Sequence, residues 1–329
     1  MIRVYAPEII ASDISSGTTR VGANIIVEDD NYALCIDGRC GMAASRVVKR
    51  LNGRKKRKIL FVSHPHYDHI FGIEKDIDTY GDAEALICQD PASLNKKYSS
   101  EVKGNVEALE RIIRKAKAKG IDVYYAKDGD EFKFGEIEFV TYRDQPSSAR
   151  NSETYVNQGS LSAWFANIRL LYTGDTGTYC AKKHGLNPIV VTGMHHGNWL
   201  ESEGRDYLKK CGCLYYWDDD YSTSITSFLS TGRGNAKKAG LTIFTLHGDL
   251  NIVAFSGRAI IYKGGEQYRY TCPYKGKNAM KSATLYSVRD VLEGKYSGGD
   301  KRVTNLLDAG FNPGSVQGWV NKLYNLVKG

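Results

Sequence analysis

The sequence predicts an α+β protein in which two sheets pack face to face with helices outside them, followed by a small helical unit. Three observations point there. Short apolar runs rich in β-formers recur between residues 21 and 262, bounded by turn residues. Helical stretches are interspersed among them in two successive halves, the pattern of packed layers. Around Lys263–Lys281 the composition shifts to Gly, Lys and Tyr. The chain therefore divides into a large domain over 1–263, a linker over 264–283 and a short helical unit over 284–329. Its 329 residues are comfortable for one large domain plus one small one.

Val21–Val27 and Tyr32–Ile36 are apolar runs split by Glu28-Asp29-Asp30-Asn31, a hairpin signal. Met42–Leu51 has helical spacing. Ile59–Val62 is wholly apolar, as expected of a strand buried on both faces. Val102–Lys119 sets Val106, Leu109, Ile112, Ile113 and Ala116 on one side of a helix against a basic opposite face, and Gly120 stops it. Strands follow at Val123–Ala126, Glu131–Phe134 and Ile137–Tyr142, the last two joined by a Gly135-Glu136 turn. Leu161–Phe165 and Ile168–Tyr172 form a further hairpin. Ile189–Val191, Leu241–Thr245, Asn251–Phe255 and Ala259–Tyr262 complete the strands.

The formal net charge of +8 favours polyanionic surroundings, whether nucleic acid, teichoic acid or wall, without choosing among them. Its sharpest cluster, Arg54-Lys55-Lys56-Arg57-Lys58, reads as a solvated connection, with a polyanion contact as the functional alternative. The seven cysteines are Cys35, Cys40, Cys88, Cys180, Cys211, Cys213 and Cys272. They are odd in number and contain no CxxC pair, which suits reduced thiols. No apolar stretch approaches the roughly 18 residues that span a bilayer. The opening MIRVYAPEIIASDIS lacks a basic region followed by an apolar core, so no secretory signal is expected there. Action outside the cell then implies release by a route such as lysis.

The chemistry concentrates in Ser63-His64-Pro65-His66-Tyr67-Asp68-His69, directly after a buried strand. An extended His-x-His turns both imidazoles to one side, because side chains repeat every second residue. A helix beginning at Asp68-His69 aims the next pair at a second metal. Zinc takes converging neutral imidazoles and carboxylates. Leu170–Tyr172 leads into Thr173-Gly174-Asp175, exposing Asp175 at a strand end where it can bridge two metals. Ile189–Val191 leads into Met194-His195-His196-Gly197 in the same way. His195 is the favoured ligand and His196 a substrate contact. His247 reads as a loop histidine and His184 as a surface one.

In this order the motifs resemble the metallo-β-lactamase superfamily over roughly residues 1–262. The nearest branch is that of ComEC-type competence-protein hydrolase domains and teichoic acid phosphorylcholine esterases, which share Asn157-Gln158-Gly159-Ser160-Leu161. The resemblance implies an αββα sandwich with its site at one edge of the two sheets. It implies two zinc ions, with Mn2+ or Fe2+ as other candidates. His64, His66 and Asp175 hold one ion; Asp68, His69, Asp175 and His195 hold the other. It places Asp37 at a structural acidic position. Asn157 stands in the segment that carries a further histidine in typical lactamases, which argues against lactam hydrolysis. Asp68, His196 and Asn157 are the implied catalytic groups.

Residues 288–321 resemble a Cpl-7-type wall-binding repeat, a three-helix unit of phage endolysins that recognises muropeptide. Gly294, Tyr296, Gly298, Gly299 and Arg302 are its implied wall-binding residues. Together the two resemblances imply a zinc-dependent phosphodiesterase or esterase acting on a bacterial wall polymer, with peptidoglycan or teichoic acid as partner, as in a phage or prophage lysin. A choline headgroup needs an aromatic cage. Trp199, Tyr215, Tyr216 and Trp217, with Asp218 beside them, are the substrate-binding candidates. The alternatives are a nuclease of the competence-protein type, with nucleic acid as substrate, and a non-catalytic wall-binding protein.

Overall fold

The computed structural model describes residues 2–5, 25–38, 48–49, 51–78, 82–144, 151–193, 195, 200, 202–213, 215–218, 232, 234–245, 251–255, 258–263, 266–271, 291, 294, 297–308, 316–317 and 320–321. Side chains are described for fewer of these, and not for 215–218 or 242–271.

Two sheets account for the strands. The first runs in the order β16-β15-β14-β1-β2-β3-β4-β5-β6. Its members are β1 (Ile2–Tyr5), β2 (Ile25–Glu28), β3 (Tyr32–Ile36), β4 (Arg57–Phe61), β5 (Ala83–Cys88), β6 (Asp122–Tyr125), β14 (Asn251–Phe255), β15 (Arg258–Lys263) and β16 (Glu266–Thr271). The second runs β13-β12-β11-β10-β9-β8-β7. It contains β7 (Glu131–Phe134), β8 (Ile137–Arg143), β9 (Leu161–Phe165), β10 (Leu170–Tyr172), β11 (Val190–Thr192), β12 (Tyr215–Asp218) and β13 (Thr242–Thr245). In each sheet an antiparallel half passes into a parallel one. β3, β4, β5 and β6 are parallel neighbours in the first, and β10 through β13 in the second.

Alternate side chains of both sheets meet in one layer. Ile25, Val27, Leu34, Ile36, Ile59 and Phe61 face Phe139, Leu161, Phe165, Leu170 and Tyr172 in a single buried cluster. The rings of Phe61 and Phe165 sit 6.0 Å and 5.3 Å from Phe139. The opposite face of the first sheet packs Ile26, Leu60, Val62 and Leu86 on two helices: Ile70 and Ile73 of α1 (Tyr67–Asp76), and Leu109, Ile112, Ile113 and Ala116 of α2 (Ser100–Ala118). Trp164, Leu171 and Val191 of the second sheet pack outward on Cys180 and Ala181 of α4 (Tyr179–Lys183) and Leu208 of α5 (Ser202–Lys210). The layering is helix, sheet, sheet, helix, as expected of an αββα sandwich. Strands β3 and β4 are parallel and buried on both faces, which is why they read as continuous apolar runs.

Several boundaries differ from the sequence pattern for local reasons. Helix α2 starts at Ser100 because the Ser99 side chain accepts the Val102 amide at 3.1 Å and caps it. Strand β16 lies within 264–283, the stretch expected to be linker; it pairs antiparallel with β15 and extends the first sheet past residue 263. Its sequence, EQYRYT, carries no apolar run to mark it. Tyr215–Asp218 forms a strand between β11 and β13, with no apolar run assigned to it in the sequence. The Arg54–Lys58 run is internally paired: Arg54 with Glu28 at 2.7 Å, Lys56 with the Asp29 carbonyl, Arg57 with Glu84, and buried Lys58 with Asp82 and the Asn52 amide oxygen. Four of the five basic groups of this run are thus engaged within the protein. Cys35 and Cys88 are buried free thiols pushed up to about 12 by desolvation, as reduced core cysteines are. His184, expected at the surface, stacks on Tyr142 at 4.1 Å and lies 3.3 Å from Asp128.

In the C-terminal segment α6 spans Gly299–Asp308, and Gly294 and Ser297 before it have positive φ. Arg302 donates to the Ser297 carbonyl at 2.9 Å and to the Gln317 side chain at 3.1 Å, tying Ser297 to helical residue Gln317. Tyr296 lies outside the described residues. Among the described residues no helix is long and apolar enough to cross a membrane.

Phe165 is fully buried between the sheets. Its replacement by alanine is expected to destabilise the fold by about 3–5 kcal/mol, read as a lower urea midpoint with an unchanged slope. A midpoint within error of the parent protein would contradict the face-to-face core.

Candidate metal centre

The centre lies where parallel strands of both sheets end on a common edge. β3 delivers Asp37, β4 delivers Ser63–His66, β10 delivers Asp175 and β11 delivers His195. The sheets are stitched there by backbone: the Leu161 amide donates to the Ser63 carbonyl at 2.8 Å, and Gln89 Nε2 donates to the same carbonyl at the same distance. Gly174 is needed at this seam. It has φ +58, and a Cβ on it would stand 2.9 Å from the Ser160 Cβ and 3.0 Å from the Ser63 Cβ.

His64, His66 and Asp175 bring one ligand atom each within 4.8 Å of one another and are placed to hold a metal ion. His64 Nε2 is 3.5 Å from Asp175 Oδ2 and 3.1 Å from His66 Nδ1. The Asp175 carboxylate also meets His69 Nε2 at 3.1 Å, through Oδ1, and His195 Nε2 at 3.8 Å, through Oδ2. It therefore stands among three imidazoles drawn from β4, α1 and β11. His195 approaches the oxygen that faces His64, while His69 approaches the other oxygen. Asp68 is half-buried in the first turn of α1, outside the tight three-residue cluster, and its charge bears on His66.

Behind these groups sits Asp37, fully buried and at φ +54. Oδ1 accepts the Ser63 amide at 2.7 Å. Oδ2 accepts the Ser63 hydroxyl at 2.6 Å, the Tyr172 hydroxyl and His69 Nδ1 at 2.7 Å. Burial and the adjacent carboxylate raise the Tyr172 phenol well above its usual value, so it stays a neutral donor. The Ser63 hydroxyl lies 3.0 Å from His64 Nδ1. Both histidines thus have Nδ1 engaged from behind and present Nε2 toward Asp175, the arrangement that orients metal-bound imidazoles.

The electrostatics suit a cation. Desolvation lowers His64 and takes His66 down to about 3, which keeps both rings in the neutral form that ligates. Burial also opposes charge on His69, but the Asp175 and Asp37 carboxylates outweigh it and raise the imidazole well above its usual value. His69 thus stands between two carboxylates, with Nδ1 toward Asp37 and Nε2 toward Asp175. His66, Asp68 and His195 are partly exposed while His64, His69 and Asp175 are buried. His195 has φ +52, a costly conformation for a residue with a Cβ and one concentrated at functional sites.

The sequence pattern missed Glu153. It lies in α3 (Ser152–Gln158), and its Oε1 is 3.7 Å from His195 Nε2. Asn157 is fully buried in the same helix. Asp218 ends β12 on the same edge as Asp175 and His195, and Trp217 precedes it; their side chains, together with His196, Trp199 and His247, lie outside the described residues.

Replacing Asp37 by alanine is expected to weaken zinc binding about 10–100-fold, measured by competition with a chromophoric chelator. An unchanged dissociation constant would show that the carboxylate does not position the imidazoles.

No protein-family model and no curated protein matches the chain. Solved structures resemble it. One is a metallo-β-lactamase fold protein, YhfI of Bacillus subtilis, at 11% identity over 74% of this chain and 96% of that one, with a TM-score of 0.48. Another is CmlA, a diiron β-hydroxylase of Streptomyces venezuelae, at 12% identity over 82% of this chain and 54% of that one, TM-score 0.43. A third is a putative metallo-β-lactamase of Thermotoga maritima, at 14% identity over 56% and 86%, TM-score 0.35.

Proposed function

We propose that the chain is a metal-dependent hydrolase whose substrate is a phosphodiester or related ester of a wall-associated polymer such as teichoic acid. One observation carries the hydrolase reading: the Asp175 carboxylate meets three imidazoles, and the cluster mixes buried groups with the partly exposed His66 and His195. A closed structural site would enclose all its ligands. When bound there, a divalent cation supplies Lewis acidity and lowers the pKa of a coordinated water toward neutrality.

The chain's own residues supply the rest. Asp37 and Ser63 hold the imidazoles of His69 and His64 with Nε2 forward, so little reorganisation remains when the cation and substrate arrive. Asp175 carries the negative charge that retains the cation. Asp68, half-exposed beside His66, is placed to accept a proton from an incoming water. The wall-polymer reading rests on two sequence features, Asn157-Gln158-Gly159-Ser160-Leu161 ahead of Asp175 and the Cpl-7-like segment at 288–321.

His66→Ala and Asp175→Ala are expected to abolish hydrolysis of bis-p-nitrophenyl phosphate by zinc-loaded protein, a loss of at least 100-fold, about 2.7 kcal/mol of transition-state stabilisation. Turnover retained in both variants would rule out this centre. Deleting residues 284–329 is expected to abolish co-sedimentation with purified cell walls while leaving the phosphodiester assay intact. Undiminished sedimentation of the truncated chain would remove the wall-binding assignment.

A further inference from the structure

We propose that the Glu153 carboxylate is a metal ligand of the centre, acting together with His195 and Asp175. The inference rests on the metal-centre reading behind the proposed hydrolase and deepens it. Glu153 belongs to none of the motifs that point to the centre in the sequence; it arrives from α3. Its Oε1 is 3.7 Å from His195 Nε2, and the same nitrogen is 3.8 Å from Asp175 Oδ2. Both separations exceed a hydrogen bond. Two ligands held by one zinc at about 2.1 Å in tetrahedral geometry stand roughly 3.4 Å apart. The two separations lie within a few tenths of an ångström of that spacing, as does the 3.5 Å between Asp175 Oδ2 and His64 Nε2.

An ordinary ion pair explains less. One imidazole nitrogen carries at most one proton, so a hydrogen bond serves one carboxylate. A cation beside that nitrogen serves both. An exposed ion pair also contributes little to stability, and it gives His195 no reason to adopt φ +52, a conformation concentrated at functional sites. The helix that carries Glu153 is firmly placed. The Asn151 side chain caps it by accepting the Thr154 amide at 2.8 Å. Tyr155 and Val156 pack with Leu94, Val102 and Val106, and the Tyr155 ring stacks on Tyr98 at 4.3 Å. The Glu153 backbone is therefore fixed beside His195, while its side chain, 57% exposed, has room to turn. Glu153 stands outside the tight cluster of His64, His66 and Asp175. A mobile carboxylate on a fixed helix covers the remaining distance when an ion arrives, and zinc accepts a carboxylate oxygen beside imidazoles.

The test uses the full-length chain with zinc alone, and Co2+ as its spectroscopic substitute. Glu153→Gln keeps the shape and polarity of the side chain and loses the anionic ligand; Glu153→Ala removes the side chain. Both metal-free variants are expected to melt with the wild type, because the position is exposed and away from the core. In chelator competition the dissociation constant of one zinc is expected to rise more than about 100-fold in both, beyond the cost of losing a group that acts only through a ligand. The visible absorption of the Co2+-loaded protein is expected to change in both, since it reports the donor set. A smaller rise or an unchanged Co2+ spectrum overturns the proposal and leaves Glu153 a partner of His195 only. So does an effect confined to Glu153→Ala, which would make the bulk of the side chain matter and not its charge. A lower melting temperature of the metal-free variants overturns it too, by making the residue structural. A wild-type chain that binds no zinc is a separate result: it sinks the hydrolase reading, and the ligand assignment falls with it.

Discussion

The Asp37 carboxylate is the constraint on which the rest of the edge depends. A charge with no exposure to water costs several kcal/mol unless it is fully hydrogen-bonded, and Asp37 meets that condition with four donors. Two come from the end of β4, one from α1 and one from β10. A hydrogen bond to a charged group contributes about 1.5–3 kcal/mol, so the set offsets the burial and joins three elements at one point. The Tyr172 bond crosses from one sheet to the other. Asp37 thereby fixes the distance between sheet edges as well as the orientation of His69.

The candidate metal centre inherits its order from that junction. Parallel strands of both sheets end on the same side, so short loops after β3, β4, β10 and β11 converge without long excursions. Close convergence brings conformational costs. Asp37 and His195 both occupy left-handed backbone, and Gly174 fills a place where a methyl group would strike both neighbouring serines. These costs are met by the large apolar layer between the sheets and by the backbone bonds at Ser63. Placing the centre on strand ends supported from behind, rather than on free loops, limits its freedom to rearrange and suits preorganised chemistry.

The α1 and α2 layer was legible because apolar spacing of three and four leaves a direct trace, seen at Leu109, Ile112, Ile113 and Ala116. The strands before the ligands were legible as unbroken apolar runs, and the histidines because scarce polar groups followed those runs immediately. Other parts left no such trace. Strand β16 is polar and pairs only at a sheet edge, so nothing in EQYRYT separates it from a linker. The basic run 54–58 looked available to a ligand until Glu28, Glu84 and Asp82 appeared opposite it, each 24 to 27 residues away in sequence. Glu153 belongs to a seven-residue helix too short to show a period.

By itself the sequence pointed to His64, His66 and Asp175 as groups of one centre, because ligand chemistry is a property of residue type and these residues follow apolar strands. It also determined the layered class, since burial pattern is local. Only the tertiary structure decided how those groups meet: that Asp175 Oδ2 is approached by both His64 and His195 while Oδ1 faces His69, and that Asp37 gathers donors as far as 135 residues away. The physical reason is that these contacts depend on the relative register and separation of two sheets. That relation comes from the packing of Phe61, Phe139 and Phe165 between them, which no stretch of chain encodes alone.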